Sequence, residues 1–200
     1  MLSSIHPFGE RSRNNQFWLT ASSHVLGSTI GGLVLGAAVG VLAWATALVW
    51  ARESVTRAVV LAAAAAVALA VEVSGRERRL PTRTRQVNEN WIQTYRGWVY
   101  GGGFGVELGF GVSTIITTAL VHLMVLAMVL SGSFAASALI GTTFGLVRGA
   151  TVLTAWRVDS PERLRSFHRR LDGLRVRSRQ GAIAALGITA TLGTAGATIS

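Results

Sequence analysis

Five apolar stretches alternate with polar segments along the chain, at about residues 23–50, 55–73, 98–130, 134–156 and 181–199. About 20 helical residues at 1.5 Å rise cross a hydrocarbon core of roughly 30 Å, so each stretch is long enough to span a bilayer. The pattern predicts an all-α fold: a polytopic transmembrane helical bundle of five spans, with four or six as alternatives, forming one integral membrane domain over 1–200. Polar residues dominate 1–20, 74–97 and 157–180. The first of these reads as a short cytoplasmic arm with no apolar core, because the run behind it is much longer than the roughly 7 to 15 apolar residues of a secretory signal. Arg57 and Glu72 fall at the two ends of the second span, where side chains can reach the headgroups.

The third stretch holds 33 residues between Trp98 and Leu130, about 50 Å if fully helical. It must tilt or break. The triplet Gly101-Gly102-Gly103 is the expected break, since each glycine weakens a helix by about 1 kcal/mol. Beyond the fourth stretch, Ser160-Pro161-Glu162 supplies an N-cap, a first-turn proline and an acid at the positive end of a helix dipole. Leu164, Phe167, Leu171 and Leu174 then recur at helical spacing, with arginines on the remaining faces. This predicts a basic amphipathic helix on the membrane surface, with Arg163, Arg169, Arg170 and Arg175 as headgroup contacts.

Glycines recur every fourth residue: Gly32, Gly36 and Gly40 in the first stretch, Gly97, Gly101, Gly105 and Gly109 in the third, Gly141, Gly145 and Gly149 in the fourth. Gly27 and Gly31 stand four apart just before the first ladder, and Gly103 and Gly111 make a second row in the third stretch. Small residues let backbones approach where lipid removes the hydrophobic drive between helices. With two rows, the third helix is expected to be the central one.

Composition narrows the class. Half the residues are hydrophobic and the mean hydropathy is +0.45, too apolar for a soluble domain of this size. The net charge of +10 would suggest nucleic acid, but most arginines fall in two blocks, 76–96 and 157–179, each abutting an apolar span. That is the positive-inside pattern. It excludes nucleic acid, places the N-terminus and both blocks in the cytoplasm of a bacterial inner membrane, and makes anionic inner-leaflet lipids the partners. The sequence contains no cysteine, which removes disulfides, thiolate metal sites and thiol redox cycling.

Only Glu107, His122 and Arg148 bring ionisable groups into 103–155. Glu107 lies nine residues after Trp98 and Arg148 eight before Trp156, so an antiparallel hairpin would hold them at similar depth. A mid-span charge costs about 2.5 to 3.5 kcal/mol on insertion scales, and pairing would compensate. His122 reads as a packing histidine or a proton relay. Ser28, Thr29, Ser113, Thr114, Thr117 and Thr118 could line a polar path. No metal spacing, catalytic triad or paired carboxylates occur, so no enzyme activity, metal or cofactor is expected.

The run Gly105-Val-Glu-Leu-Gly-Phe-Gly-Val-Ser-Thr-Ile115 resembles the broken-helix motif of DsbD and CcdA type membrane thiol-disulfide carriers, in which a Leu-Gly-Trp-Thr-Pro-Cys run holds a redox cysteine. On that resemblance Val112 stands at the proline and Ser113 at the cysteine, so the family's electron relay is absent and only its architecture is implied. Leu26-Gly27-Ser28-Thr29-Ile30-Gly31 is a partial echo in the first stretch. The chain is also similar to small uncharacterised membrane proteins of high-GC bacteria.

Two functions fit. The first is a small transporter-like protein moving an ion or small solute, with Gly-Ser-Thr breaks exposing backbone carbonyls near the midplane. The second is a non-transporting scaffold or accessory subunit packed through its glycine ladders, alone or with a second copy or another membrane protein.

Overall fold

The computed structural model describes residues 5–49, 54–75, 91–111 and 118–199. Within these the secondary structure is helical: α1 Pro7–Ser12, α2 Phe17–Val49, α3 Ser54–Val73, α4 Trp91–Thr94, α5 Gly97–Gly109, α6 Ala119–Leu130, α7 Phe134–Ala150 with a 3-10 turn Thr151–Ala155, and α8 Pro161–Ile199. Three helices among the described residues are long and apolar enough to cross a membrane: Phe17–Ala45, Val55–Val73 and Phe134–Ala155. They coincide with the first, second and fourth expected spans. Their outward faces carry Leu26, Ile30, Val34, Leu42, Val59, Val67, Leu139 and Val147, all exposed. So much exposed apolar surface fits a membrane protein.

Two expected spans differ. Among the described residues the third holds two helices, α5 and α6, each too short to cross singly, and α5 runs through the glycine triplet to end at Gly109. Gly101, Gly102 and Gly103 are helical because their missing side chains make room for the Thr20 carbonyl, the Ser23 hydroxyl and the Trp91 ring. Packing there outweighs their low helix propensity. α5 instead ends where Gly111 adopts φ +66° and its N–H donates to the Leu108 carbonyl at 3.2 Å, a left-handed terminus that suits glycine. The fifth expected span is not a separate element: no proline interrupts 162–199, and the basic segment and the final apolar run form the single helix α8. At its start the Ser160 hydroxyl accepts from the Arg163 N–H at 3.3 Å, as the sequence signal implied.

The chain divides into two compact units, and α2, α7 and α8 contribute residues to both. The first comprises Met1–Leu35, Arg83–Ile115 and Gly141–Leu174. Its core joins Ile5, Phe17, Ala21, Tyr100, Phe104 and Val152, with Trp91 and Ile92 packed on it. The second comprises Gly36–Thr82, Ile116–Ile140 and Arg175–Ser200. There Ala65 of α3, Leu123 of α6 and Leu186 of α8 form the core.

In the second unit Glu72, in the last turn of α3, is buried. Its carboxylate accepts from the Ala119 N–H at 3.1 Å, satisfying the start of α6 beside the Thr118 N-cap. Arg179 donates to the Glu72 carbonyl at 2.6 Å and so caps the end of α3. Arg57, at the other end of α3, lies against Gly132 in the α6–α7 turn.

Candidate functional site

α2, not the third stretch, is the helix that touches two partners closely. Helical geometry sets its contact residues on two faces about 145° apart: Thr20, His24, Gly27 and Gly31 on one, Val25, Gly32, Gly36 and Gly40 on the other. In the first unit α5 packs on the former face. A Cβ at Gly27 would overlap the Gly102 carbonyl, one at Gly31 the Val106 carbonyl, one at Gly101 the Thr20 carbonyl and one at Gly105 the His24 carbonyl. α7 packs on the latter face, where a Cβ at Gly32 would overlap the Gly141 carbonyl. In the second unit Gly36 meets Ser137 and Ala138, and Gly40 meets Phe134.

Ser28 is fully buried where the two faces meet. Its carbonyl occupies the space that a Cβ of Gly109 or of Gly145 would need, and its side chain fills that of Gly149. Its hydroxyl donates to the Gly145 carbonyl at 2.7 Å. Thr29 turns its hydroxyl back to the Val25 carbonyl of its own helix, at 2.8 Å. Both expected path residues therefore spend their donors on helix backbone. Two further α2 side chains bind α5: Ser23 donates to the Trp98 carbonyl, and His24 Nδ1 lies 3.2 Å from the Gly101 carbonyl, its donor in the Nδ1-protonated tautomer.

Arg148 is half-buried in α7, with its guanidinium 5.4 Å from the Phe144 ring centre, a cation–π distance. Glu107 is half-buried in α5. Ion pairs join Glu10 to Arg13 and Asp159 to Arg163, both at 2.7 Å. Gly111 and the Phe144 ring face each other beside Arg148. His122 is half-buried in α6, in the second unit. Ser113, Thr114 and Thr117 lie outside the described residues, which leaves their expected lining role unplaced. Arg163, Arg169 and Arg170 are exposed on α8, and Arg175 lies on the same helix.

Sequence reasoning missed the most buried charged group. Residues 5–13 are no loose arm: Ile5, His6, Gly9 and Glu10 are buried in the first unit. His6 starts α1 by accepting the Gly9 N–H at its Nδ1, 3.0 Å away, with Pro7 as the first helical residue. The Phe8 N–H donates to the Val158 carbonyl at 3.0 Å. Glu10, fully inaccessible, accepts from Thr20 at 2.8 Å, from Arg13 at 2.7 Å and from the Tyr100 hydroxyl. Asn15 continues the lattice by accepting the Gly97 N–H at 3.2 Å. One carboxylate thus joins α1, α2 and α5. The available signal was His6-Pro7 followed by an acid in the first turn, a helix start within a polar segment that has no apolar core of its own.

The His6 cap carries a pH dependence. Burial lowers the His6 pKa below its ordinary 6.5, helped by the Arg13 charge and opposed by Glu10. The unfolded chain therefore takes up the proton first, and the cap's contribution is fully present above pH 6.5 and lost as the pH falls below it. Unfolding in detergent should show stability declining through this window. His6→Asn, which can cap without titrating, should remove that part of the slope; an unchanged slope would assign it to other groups.

Comparison with known proteins adds a partial likeness. The chain is similar to the methylamine utilization protein MauF. It is 30% identical over 151 residues to that of Paracoccus versutus, covering 74% of this chain and 54% of the relative. To that of Paracoccus denitrificans it is 29% identical over 148 residues, covering 74% and 53%. The chain thus spans about half the length of the MauF proteins it matches. No family model matches the chain, and no solved structure matches it.

Proposed function

We propose that this chain is a non-transporting accessory or scaffold protein of the membrane, serving the utilization of methylamine or a related amine. The observation that carries the reading is the Ser28 junction. Its hydroxyl and carbonyl, together with Gly109 and Gly145, are consumed in helix contacts, as a rigid frame requires. A transport path of the kind expected from the sequence needs such groups turned toward a solute, and Ser28 and Thr29 are both turned toward backbone. The likeness to MauF supplies the metabolic setting. Neither a metal nor a cofactor is part of this role, and the frame would act by holding a membrane partner or a second copy.

A clean deletion strain separates this reading from transport. Growth on methylamine is expected to fail, while initial uptake of radiolabelled methylamine by the same cells stays at the parental rate. Loss of uptake in step with growth would make the protein a transporter. Growth unaffected on methylamine and related amines would remove the metabolic assignment.

A further inference from the structure

Where the candidate span Phe134–Ala155 ends, the chain turns through 156–160 into α8 and lines an open cavity of about 660 Å³. Its wall includes Trp156 and Arg157 from the turn, and Arg163, Ser166, Phe167 and Arg170 from α8. The spacing 163, 166, 167 and 170 is that of a single helix face, so α8 presents two guanidinium groups, a hydroxyl and a ring to one space.

The charge in this space is unbalanced. Arg163 donates to the Asp159 carboxylate at 2.7 Å through a single nitrogen, leaving the rest of its donor fork. Arg157 lies 4.5 Å from the centre of the Trp156 ring, a stacking contact that orients the guanidinium without neutralising it. Arg170 makes no hydrogen bond or ion pair among the described residues. Three positive groups therefore face one carboxylate, Asp159, which leaves an excess of two. Planar guanidinium forks suit phosphate oxygens, and the Trp156 and Phe167 rings offer an apolar wall beside them. The cavity also begins at the last turn of a span, the level at which lipid phosphates lie.

We propose that this cavity binds the phosphate of an anionic lipid headgroup, with Arg157, Arg163 and Arg170 as its ligands and the glycerol end of the lipid against Trp156 and Phe167. A headgroup held there would fix the direction in which α8 leaves the membrane surface. The site does not depend on the accessory reading above, and a failure of the growth experiment would leave it standing.

Native mass spectrometry of the delipidated protein in a neutral detergent tests it. Dioleoyl phosphatidylglycerol should form a discrete single adduct, and dioleoyl phosphatidylcholine a much weaker one. Arg157→Gln with Arg170→Gln should weaken the phosphatidylglycerol adduct about tenfold or more, as loss of charge-assisted hydrogen bonds implies. Arg165→Gln with Arg177→Gln removes the same charge from α8 outside the cavity and should leave the affinity within about twofold, since exposed charges act weakly through solvent. Circular dichroism confirms folding, and Arg170→Gln alone, which breaks no hydrogen bond or ion pair among the described residues, serves if the double variant misfolds. Equal weakening by both pairs would mean diffuse attraction to a basic helix and overturn the proposal. Displacement of phosphatidylglycerol by inorganic phosphate at comparable concentration would assign the cavity to the free anion, and a parent protein without a discrete adduct would leave no site.

Discussion

Glu10→Ala is expected to lower the stability of the protein by about 3 to 5 kcal/mol, the range found when one partner of a buried ion pair is removed. The carboxylate is fully inaccessible and receives three side-chain donors, so its loss removes at once the acceptor shared by the Tyr100 and Thr20 hydroxyls and the Arg13 guanidinium. Against a typical net stability of about 5 to 15 kcal/mol, a loss of that size threatens the folding of the first unit. Glu10→Gln should fall between parent and alanine, because the amide keeps an acceptor but loses the charge facing Arg13. Tyr100→Phe removes one donor and should cost about 1.5 to 3 kcal/mol, as for a hydrogen bond to a charged group. Chemical unfolding in detergent gives all three values, and the Glu10/Tyr100 double-mutant cycle gives their coupling. A Glu10→Ala variant within about 0.5 kcal/mol of the parent would show that α1 does not anchor the unit.

The second large effect has opposite signs at two kinds of glycine. Gly109→Ala and Gly145→Ala each push a Cβ into the Ser28 carbonyl, a backbone atom that cannot rotate away. Overpacking of this kind costs about 1 to 3 kcal/mol, and leucine at either position should cost more. Because both act on the same carbonyl, the double variant should be non-additive. Gly173 and Gly187 in α8 have nothing within 4 Å of an added Cβ. There the same substitution should stabilise the helix by about 0.8 to 1 kcal/mol through backbone entropy alone. Thermal unfolding of the four alanine variants settles the contrast. A common sign for all four would mean that the α2–α5–α7 approach is looser than these contacts require.

Features that repeat at a helical period are legible in the sequence. The apolar runs gave helices at the first, second and fourth spans, and the four-residue glycine rows marked faces that do approach other backbones. Both signals are local, since hydrophobicity and spacing within one helix suffice to read them. The start of α8 at Ser160-Pro161 was legible for the same reason: caps and first-turn prolines act within one turn.

Which faces meet was decided by tertiary structure. Two glycine rows on the third stretch suggested a central helix, yet one row meets α2 while the other faces Trp91 and Phe144, and α2 is the helix approached closely on two faces, offset by about 145°. In that stretch α5 runs through the triplet to end at Gly109, because partners fill the space beside Gly101–Gly103. Sequence offset puts Glu107 and Arg148 at similar depth, but depth along two helices does not fix their rotation. Glu10 was hidden in a polar N-terminal stretch for a related reason. A buried carboxylate and a solvated one are the same letter in a sequence, and only the donors that Thr20 and Tyr100 bring from distant positions, 10 and 90 residues along the chain, make burial affordable. Periodicity along one helix is written into the sequence, whereas rotation, register and the burial of a single charge are set by contacts between residues that the chain keeps far apart.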